Sequence, residues 1–462
     1  MSPPKRQVNL MRGWPSPDVL PASQLAAACQ RVLTDSAEYT PILQYGADEG
    51  YMPLREGLAQ WLGRHYRVEP DTRRVCVTGG ASQSLACILQ SFTDPAYTRA
   101  VWIIAPCYYL ACGIFADSGL NGKLRASPED DEGVDLEVLG RMMRQVDEEA
   151  SNRPSTPSFK DPGPHRKLYR HVIYTVPTCS NPSGKTMTLR RREGLVKLAR
   201  DHDALVVCDD VYDFLQWPLQ GEPTPERPPE LRLPRLCDID LAMGPAADDP
   251  QWFGHAVSNG SFSKISGPGV RTGWVEATPA FVTGLSNTAS TLSGGAPSQL
   301  CAAMLSDMVH TGELEKHIET RVRPSLQRRH RLMMDAIHEF LVPIGLQTRE
   351  SSLVGCQIYG GYFVWLTLPP ECPFSSGVVA EVAKEEDNLI LGYGNMFEVL
   401  GDEGGARFDT DIRLCFAWEP EESLVEGVRR LANVVQRMSD NTARYQARVT
   451  AASPVPDLDS FK

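Results

Sequence analysis

The sequence predicts an α/β protein in which a mostly parallel sheet is wrapped by helices and followed by a smaller α+β domain. Three observations predict it. Apolar runs of strand length recur through the first 290 or so residues, helical patterns lie between them, and the pattern changes after about Thr288. Strands that alternate with helices leave two sheet faces to cover, and the crossover helices cover them. With 462 residues the chain is long enough for two domains and a large buried core.

The predicted buried strands are Val75 to Thr78 (VCVT), Ala100 to Ala105 (AVWIIA), His171 to Val176 (HVIYTV) and Ala204 to Cys208 (ALVVC), with a further short strand, HAVSN, ahead of Lys264. SQSLACILQSF and LRRREGLVKLARDH carry the helical period between them. Within the second, Arg190 to Arg192 reads as the opening of a solvated helix face. From Ser298 to Phe340 the pattern is helical. The strands GGYFVWLTL and DIRLCFAW follow, separated by a helix, and Trp365 reads as core. The chain thus divides into an N-terminal arm with part of the small domain (1–40), a large domain (41–290), a small domain (291–444) and a flexible tail (445–462). Glu148 to Arg166 is polar and proline-rich, an irregular surface loop. Leu215 to Pro250, with six prolines between Pro218 and Pro234, is too long for a routine connection and reads as a lid or a disordered excursion.

Composition excludes some functions. A net charge of -12 argues against nucleic acid, because a polyanion is repelled unless a local basic patch overcomes the field. The 12 cysteines form no CxxC pair and no His stands at metal-ligand spacing from them, so no metal is expected. Cys76, Cys208 and Cys415 sit in apolar runs, where a thiol behaves as a small hydrophobe. Reduced core cysteines, no secretory leader and no apolar run of spanning length make the cytoplasm the expected location and a membrane partner unexpected.

In a sheet of this kind ligands bind beyond the carboxyl ends of the strands. Gly79-Gly80-Ala81-Ser82 follows VCVT and opens a helix, where unpaired N–H groups and the helix dipole favour a phosphate. Tyr108 follows AVWIIA and can stack on a flat heteroaromatic ring; packing under a loop is its plainer role. Asn181 stands in the turn PTCSNPSG after HVIYTV. Asp209 ends ALVVC, an expensive place for an acid without a cationic partner, with Tyr212 three residues on. Asp210 reads as a helix N-cap. The stretch SFSKISGPGVR then presents Ser261, Ser263 and Arg271 as phosphate ligands around Lys264, an amine that becomes nucleophilic where burial or cationic neighbours lower its pKa.

Together with LQYGADEGYMPLRE, TGGASQSL, APCYY, DDVY, GGYFVWL and DIRLCFA, these segments resemble the fold-type-I pyridoxal-phosphate enzymes. Within them the chain is most similar to the class I/II aminotransferases of the 2-aminoadipate and aromatic branch, and the motifs span nearly the whole chain in the family's order. The resemblance implies pyridoxal 5'-phosphate as cofactor, held covalently by Lys264. It implies that Asp209 pairs with the pyridine nitrogen, which lets the ring accept electrons released at the substrate Cα. It assigns Tyr212 and Asn181 to the phenolic oxygen, Tyr108 to ring stacking, and Ala81, Ser82, Ser261, Ser263 and Arg271 to the phosphate. Ala81 departs from the hydroxyl residue frequent at its position, so a weaker phosphate grip is expected. Tyr45 matches a tyrosine that reaches the neighbouring subunit's phosphate, which implies a homodimer with shared sites. Arg413 matches the arginine that binds the substrate α-carboxylate, with Gly13 closing over it. Because Arg413 lies in an apolar strand, a carboxylate partner is expected for it in any case.

The implied activity is transamination between an α-amino acid and a 2-oxo acid. A lyase, decarboxylase or cyclase on the same scaffold is the alternative, because all share the carbanion at Cα. A non-catalytic ligand-sensing domain, as in regulators that fuse this fold to a winged helix, is disfavoured: the family-like segment opens at NLMRGWPSPDVLP, leaving no room for a DNA-binding domain.

Overall fold

Strand segments set the frame of the computed structural model, which describes residues 6–152, 158–219 and 232–449. In chain order they are β1 (Val8–Asn9), β2 (Val75–Thr78), β3 (Ala100–Ala105), β4 (Leu124–Asp130), β5 (Gly133–Val134), β6 (His171–Thr175), β7 (Ala204–Asp209), β8 (Gln216–Pro218), β9 (Ala256–Ser261), β10 (Gly273–Glu276), β11 (Gln347–Thr348), β12 (Ile358–Gly360), β13 (Phe363–Thr367), β14 (Leu389–Ile390), β15 (Gly392–Tyr393) and β16 (Asp411–Cys415). The large sheet runs β2-β10-β9-β7-β6-β3-β4-β5. Its centre, from β9 to β4, is parallel, and β10 and β5 are antiparallel to their neighbours. β3, β6 and β7 are buried at every position, which is why they read as unbroken apolar runs. The expected strands lie within a residue or two of those observed, except that HAVSN extends through Ser261, GGYFVWLTL is split between the end of β12 at Gly360 and β13, and DIRLCFAW is strand over Asp411–Cys415.

A second, antiparallel sheet, β11-β13-β16-β15, carries the later part of the chain. The N-terminal segment joins it from the other end of the sequence: β1 pairs in parallel with β14, and Leu10 O accepts from Cys415 N–H. One apolar core runs from Val8 to Tyr445 through both sheets.

Four expectations change. Arg190 and Arg191 pair with Glu132 and Asp130 on the surface, but Arg192 is buried. Its guanidinium donates to the carbonyls of Met187, Pro177 and Pro234, so it ties a turn together instead of facing water. Within Leu215 to Pro250, β8 pairs with β12 and a helix forms over Leu236–Ala242, packed through Leu236 into the core beneath β7. That part is built structure, not an excursion; residues 220–231 of the stretch lie outside the described residues. The helical region after Ser298 is broken into Gln299–His310, Glu313–His317 and Arg323–Phe340, with a wider turn at Ile318–Val322. The helix Thr442–Val449 occupies the start of the expected tail, anchored by Tyr445, whose hydroxyl donates to Glu386. Among the described residues no helix is long and apolar enough to cross a membrane.

Candidate active site

The carboxyl ends of β3, β6, β7 and β9 open on one cavity of about 250 Å³. The connection after β3 delivers Tyr108, the turn after β6 delivers Asn181, β7 ends in Asp209, and Lys264 stands three residues beyond β9. The helix Ala81–Phe92 presents Ala81 and Ser82 at its N-terminus. From the second sheet β13 contributes Phe363 and β16 contributes Arg413, and the N-terminal segment crosses with Gly13, Trp14 and Pro15. Twelve of the thirteen residues singled out in the sequence line this space: Gly13, Ala81, Ser82, Tyr108, Asn181, Asp209, Tyr212, Ser261, Ser263, Lys264, Arg271 and Arg413. Tyr45 does not. It is 88% exposed, beside a separate groove with Leu43, Leu292 and Gly294.

Charge is held in this cavity under poor solvation. Burial pushes the Asp209 carboxyl up from 3.8 to about 6, against a hydrogen bond from Tyr174 and the attraction of Lys264. The Tyr174 hydroxyl donates to Oδ2 at 2.7 Å, while Oδ1 is buried with no donor. Burial lowers the Lys264 amine from 10.5 to about 8, and its Nζ donates to Gly13 O at 2.8 Å. Arg413 is buried, and burial pulls its guanidinium below its ordinary value. Nη1 donates to Asn181 Oδ1 at 2.7 Å, Nη2 donates to Met11 O at 2.5 Å, and Nε has no acceptor. The expected carboxylate partner is absent among the described residues. The rings of Phe363 and Phe397, 4.1 and 4.7 Å from the guanidinium carbon, supply the remaining attraction through their π faces.

The phosphate side is shaped by close backbone packing. Gly80 has φ +97° ahead of the helix N-terminus, and a Cβ at Gly273 would stand 2.5 Å from Gly260 O and 3.0 Å from the Gly80 Cα. Only glycine lets the helix start rest directly on β9 and β10. Ser261 Oγ donates to Ser263 Oγ at 3.0 Å, and exposed Arg271, left-handed at φ +45°, donates to Pro268 O at 2.9 Å. Tyr212 is buried, its ring centre 5.5 Å from that of Tyr362. Burial raises its phenol well above the usual range and pushes that of Tyr108 to about 12, so both remain hydrogen-bond donors at neutral pH.

Asp210 is not a helix N-cap. Residues 211–214 form a turn with no helix after it. The Asp210 carboxyl accepts from Ser258 Oγ at 2.5 Å, and burial beside Asp213 raises it well above its usual range. Sequence reasoning missed Tyr174, Tyr109, Trp14 and Phe363. Tyr174 left one signal, a phenol in the apolar strand HVIYTV; Tyr109 and Phe363 stand beside other aromatics and read as packing, and Trp14 stands alone between Gly13 and Pro15 with no chemical signature.

Pyridoxal phosphate fits these residues. The donorless Oδ1 of Asp209 suits a protonated ring nitrogen, the depressed Lys264 amine suits an aldehyde, and the glycine-lined helix start with Ser261, Ser263 and Arg271 suits a phosphate.

Comparison with known proteins agrees. Residues 7–431 match the family model for aminotransferase class I and II. An uncharacterised protein of Saccharomyces cerevisiae is 32% identical over 416 residues, 86% of this chain and 90% of that one. The aromatic-amino-acid aminotransferase 1 of Thermococcus litoralis is 28% identical over 436 residues, 93% of this chain and 88% of the relative. The crystal structure of LysN, an α-aminoadipate aminotransferase from Thermus thermophilus complexed with N-(5'-phosphopyridoxyl)-L-leucine, superposes with a TM-score of 0.69. It is 25% identical and covers 94% of this chain and 93% of its own.

Proposed function

The chain belongs to the class I and II aminotransferases, pyridoxal-phosphate transaminases of fold type I, and we propose a role in that reaction for each residue lining the cavity. The activity moves an amino group between an α-amino acid and a 2-oxo acid. The cofactor, when bound, supplies an aldehyde to capture the amine and a cationic ring to take up electrons from Cα. Lys264 holds the aldehyde. A free Lys264 amine would lose its proton as pH rises past about 8 and would be placed to take a proton from the substrate Cα. Asp209, oriented by Tyr174, keeps the ring nitrogen protonated through its free Oδ1. Arg413 exchanges its carbonyl and amide partners for the substrate α-carboxylate, a planar two-toothed match. The Gly13 segment covers that carboxylate. Tyr212 and Asn181 donate to the phenolic oxygen, Tyr108 stacks on the ring, and Ser82, Ser261, Ser263, Arg271 and the Ala81 backbone hold the phosphate.

The exposed Tyr45 belongs to the same reading. A ring so far out of its own cavity suits a homodimer in which it completes the partner's phosphate site. The two sheets support a division into large and small domains at about residue 290, and the free, mostly buried cysteines suit a cytoplasmic location. One observation carries the reading: a lysine pushed down and an aspartate pushed up face the same cavity as an arginine without a carboxylate. Lys264→Ala tests it. Transamination is expected to fall by about 10⁴-fold or more, and near-normal turnover by the variant would overturn the assignment.

A further inference from the structure

Asn259 lies outside the cavity lining, yet it touches both ends of the site. It is buried on β9, five residues before Lys264. Its Nδ2 donates to Ala81 O at 2.9 Å, in the first turn of the helix that faces the phosphate position. Its Oδ1 accepts from Ser84 Oγ, one turn further along that helix. Its backbone O accepts from Asp210 N–H at 3.1 Å, immediately after Asp209, with which it is in register across β7 and β9. Because Ala81 O can only accept, the amide orientation is fixed by the network, and both polar atoms of the side chain have a partner.

We infer that Asn259 is a positioning residue that locks the helix Ala81–Phe92 onto β9 and thereby sets the phosphate-binding N–H groups at a fixed height above Asp209. This rests on the active-site reading above. The need arises at the helix start. Ala81 offers no hydroxyl, so the grip on the phosphate from this helix falls to backbone N–H groups and Ser82, and their worth depends on where the helix start is held. A buried amide that spans a helix and a strand resists sliding between them, because any slide leaves Nδ2 or Oδ1 without a partner.

The test separates phosphate grip from general damage. Cofactor-free wild type, Asn259→Leu and Ser84→Ala are titrated with pyridoxal phosphate and with pyridoxal, which carries the same aldehyde and ring without the phosphate; condensation is followed by absorbance and folding by circular dichroism. Asn259→Leu is expected to weaken pyridoxal phosphate by about 10-fold, the size of one lost buried hydrogen bond, and to leave pyridoxal within about twofold. Ser84→Ala, which keeps the Asn259 side chain, is expected to show the same selectivity at about threefold. An equal loss for both ligands, or no loss for either, overturns the inference. If Asn259→Leu does not fold, Ser84→Ala decides, and no selectivity there is equally fatal. Failure of wild type to condense with pyridoxal phosphate at all would instead sink the reading of the site.

Discussion

The cluster of Arg74, Arg235, Asp238 and Glu276 and the cavity group of Lys264, Asp209 and Arg413 both bury charge, with opposite results. In the first, Arg235 meets Asp238 at 2.8 Å and Glu276 at 2.7 Å, and Arg74 meets the same two acids at 3.1 and 3.2 Å. None of their side-chain polar atoms is left without a partner, and the Arg235 guanidinium also lies 3.9 Å from the centre of the Tyr66 ring. Burial opposes charge there, but the opposing neighbours outweigh it: Arg235 and Arg74 are pushed up and Asp238 down, toward their ionised forms. In the cavity burial wins. Lys264 and Arg413 are pushed down, Asp209 up, and atoms of Asp209 and Arg413 lack partners. A saturated cluster holds a fold together, whereas an unsaturated one is prepared for something that arrives later.

Breaking the saturated cluster should cost most. Arg235→Ala strands Asp238 and Glu276 and is expected to remove about 3–5 kcal/mol of folding stability, read by denaturant unfolding, while kcat/KM per folded site stays near wild type. A collapse of kcat/KM in the folded fraction would erase the contrast between the two regions. Asp209→Asn should do the reverse. The folded-state carboxyl titrates near 6 against an ordinary 3.8, so its contribution to stability is full below pH 3.8 and is lost as pH rises through 6. The asparagine variant without cofactor is therefore expected to be more stable than wild type above pH 6, by about 3 kcal/mol. That gain should shrink toward pH 3.8, and transamination should be lost. Arg413→Lys keeps the charge but not the fork, and kcat/KM for the amino acid should drop by about 100-fold. The smallest effect is expected from Tyr174→Phe. Losing one hydrogen bond to a charged group costs about 1.5–3 kcal/mol, which should raise the Asp209 pKa further and narrow the acid limb of the pH–rate profile.

What the sequence revealed followed from physical visibility. β3, β6 and β7 are buried on both faces, so they read as apolar runs, and polar residues at their carboxyl ends stood out because they interrupt those runs. Asp209 was legible for that reason, and Lys264 because Ser261, Ser263, a Gly-Pro-Gly turn and Arg271 surround it. Partners that act through backbone were not: the carbonyls of Met11 and Gly13, which hold Arg413 and Lys264, carry no residue signature. Arg192 read as a surface arginine because a charge run resembles a solvated face, while its actual partners are carbonyls of the turn before its helix and of Pro234. The helix Leu236–Ala242 was hidden behind the prolines that precede it. Asn259 was silent too, since a lone amide in a short strand announces nothing until the helix it grips is placed beside it.

The central claim concerns one amine, and one measurement addresses it. Cofactor-free protein is incubated with pyridoxal phosphate over a range of pH, reduced with borohydride and digested, and the modified peptide is located by mass spectrometry. The adduct is expected on Lys264 alone, forming faster as pH rises and levelling off above about 8, where the amine has lost its proton. No adduct, or adducts scattered over exposed lysines with Lys264 unmodified, would contradict the account.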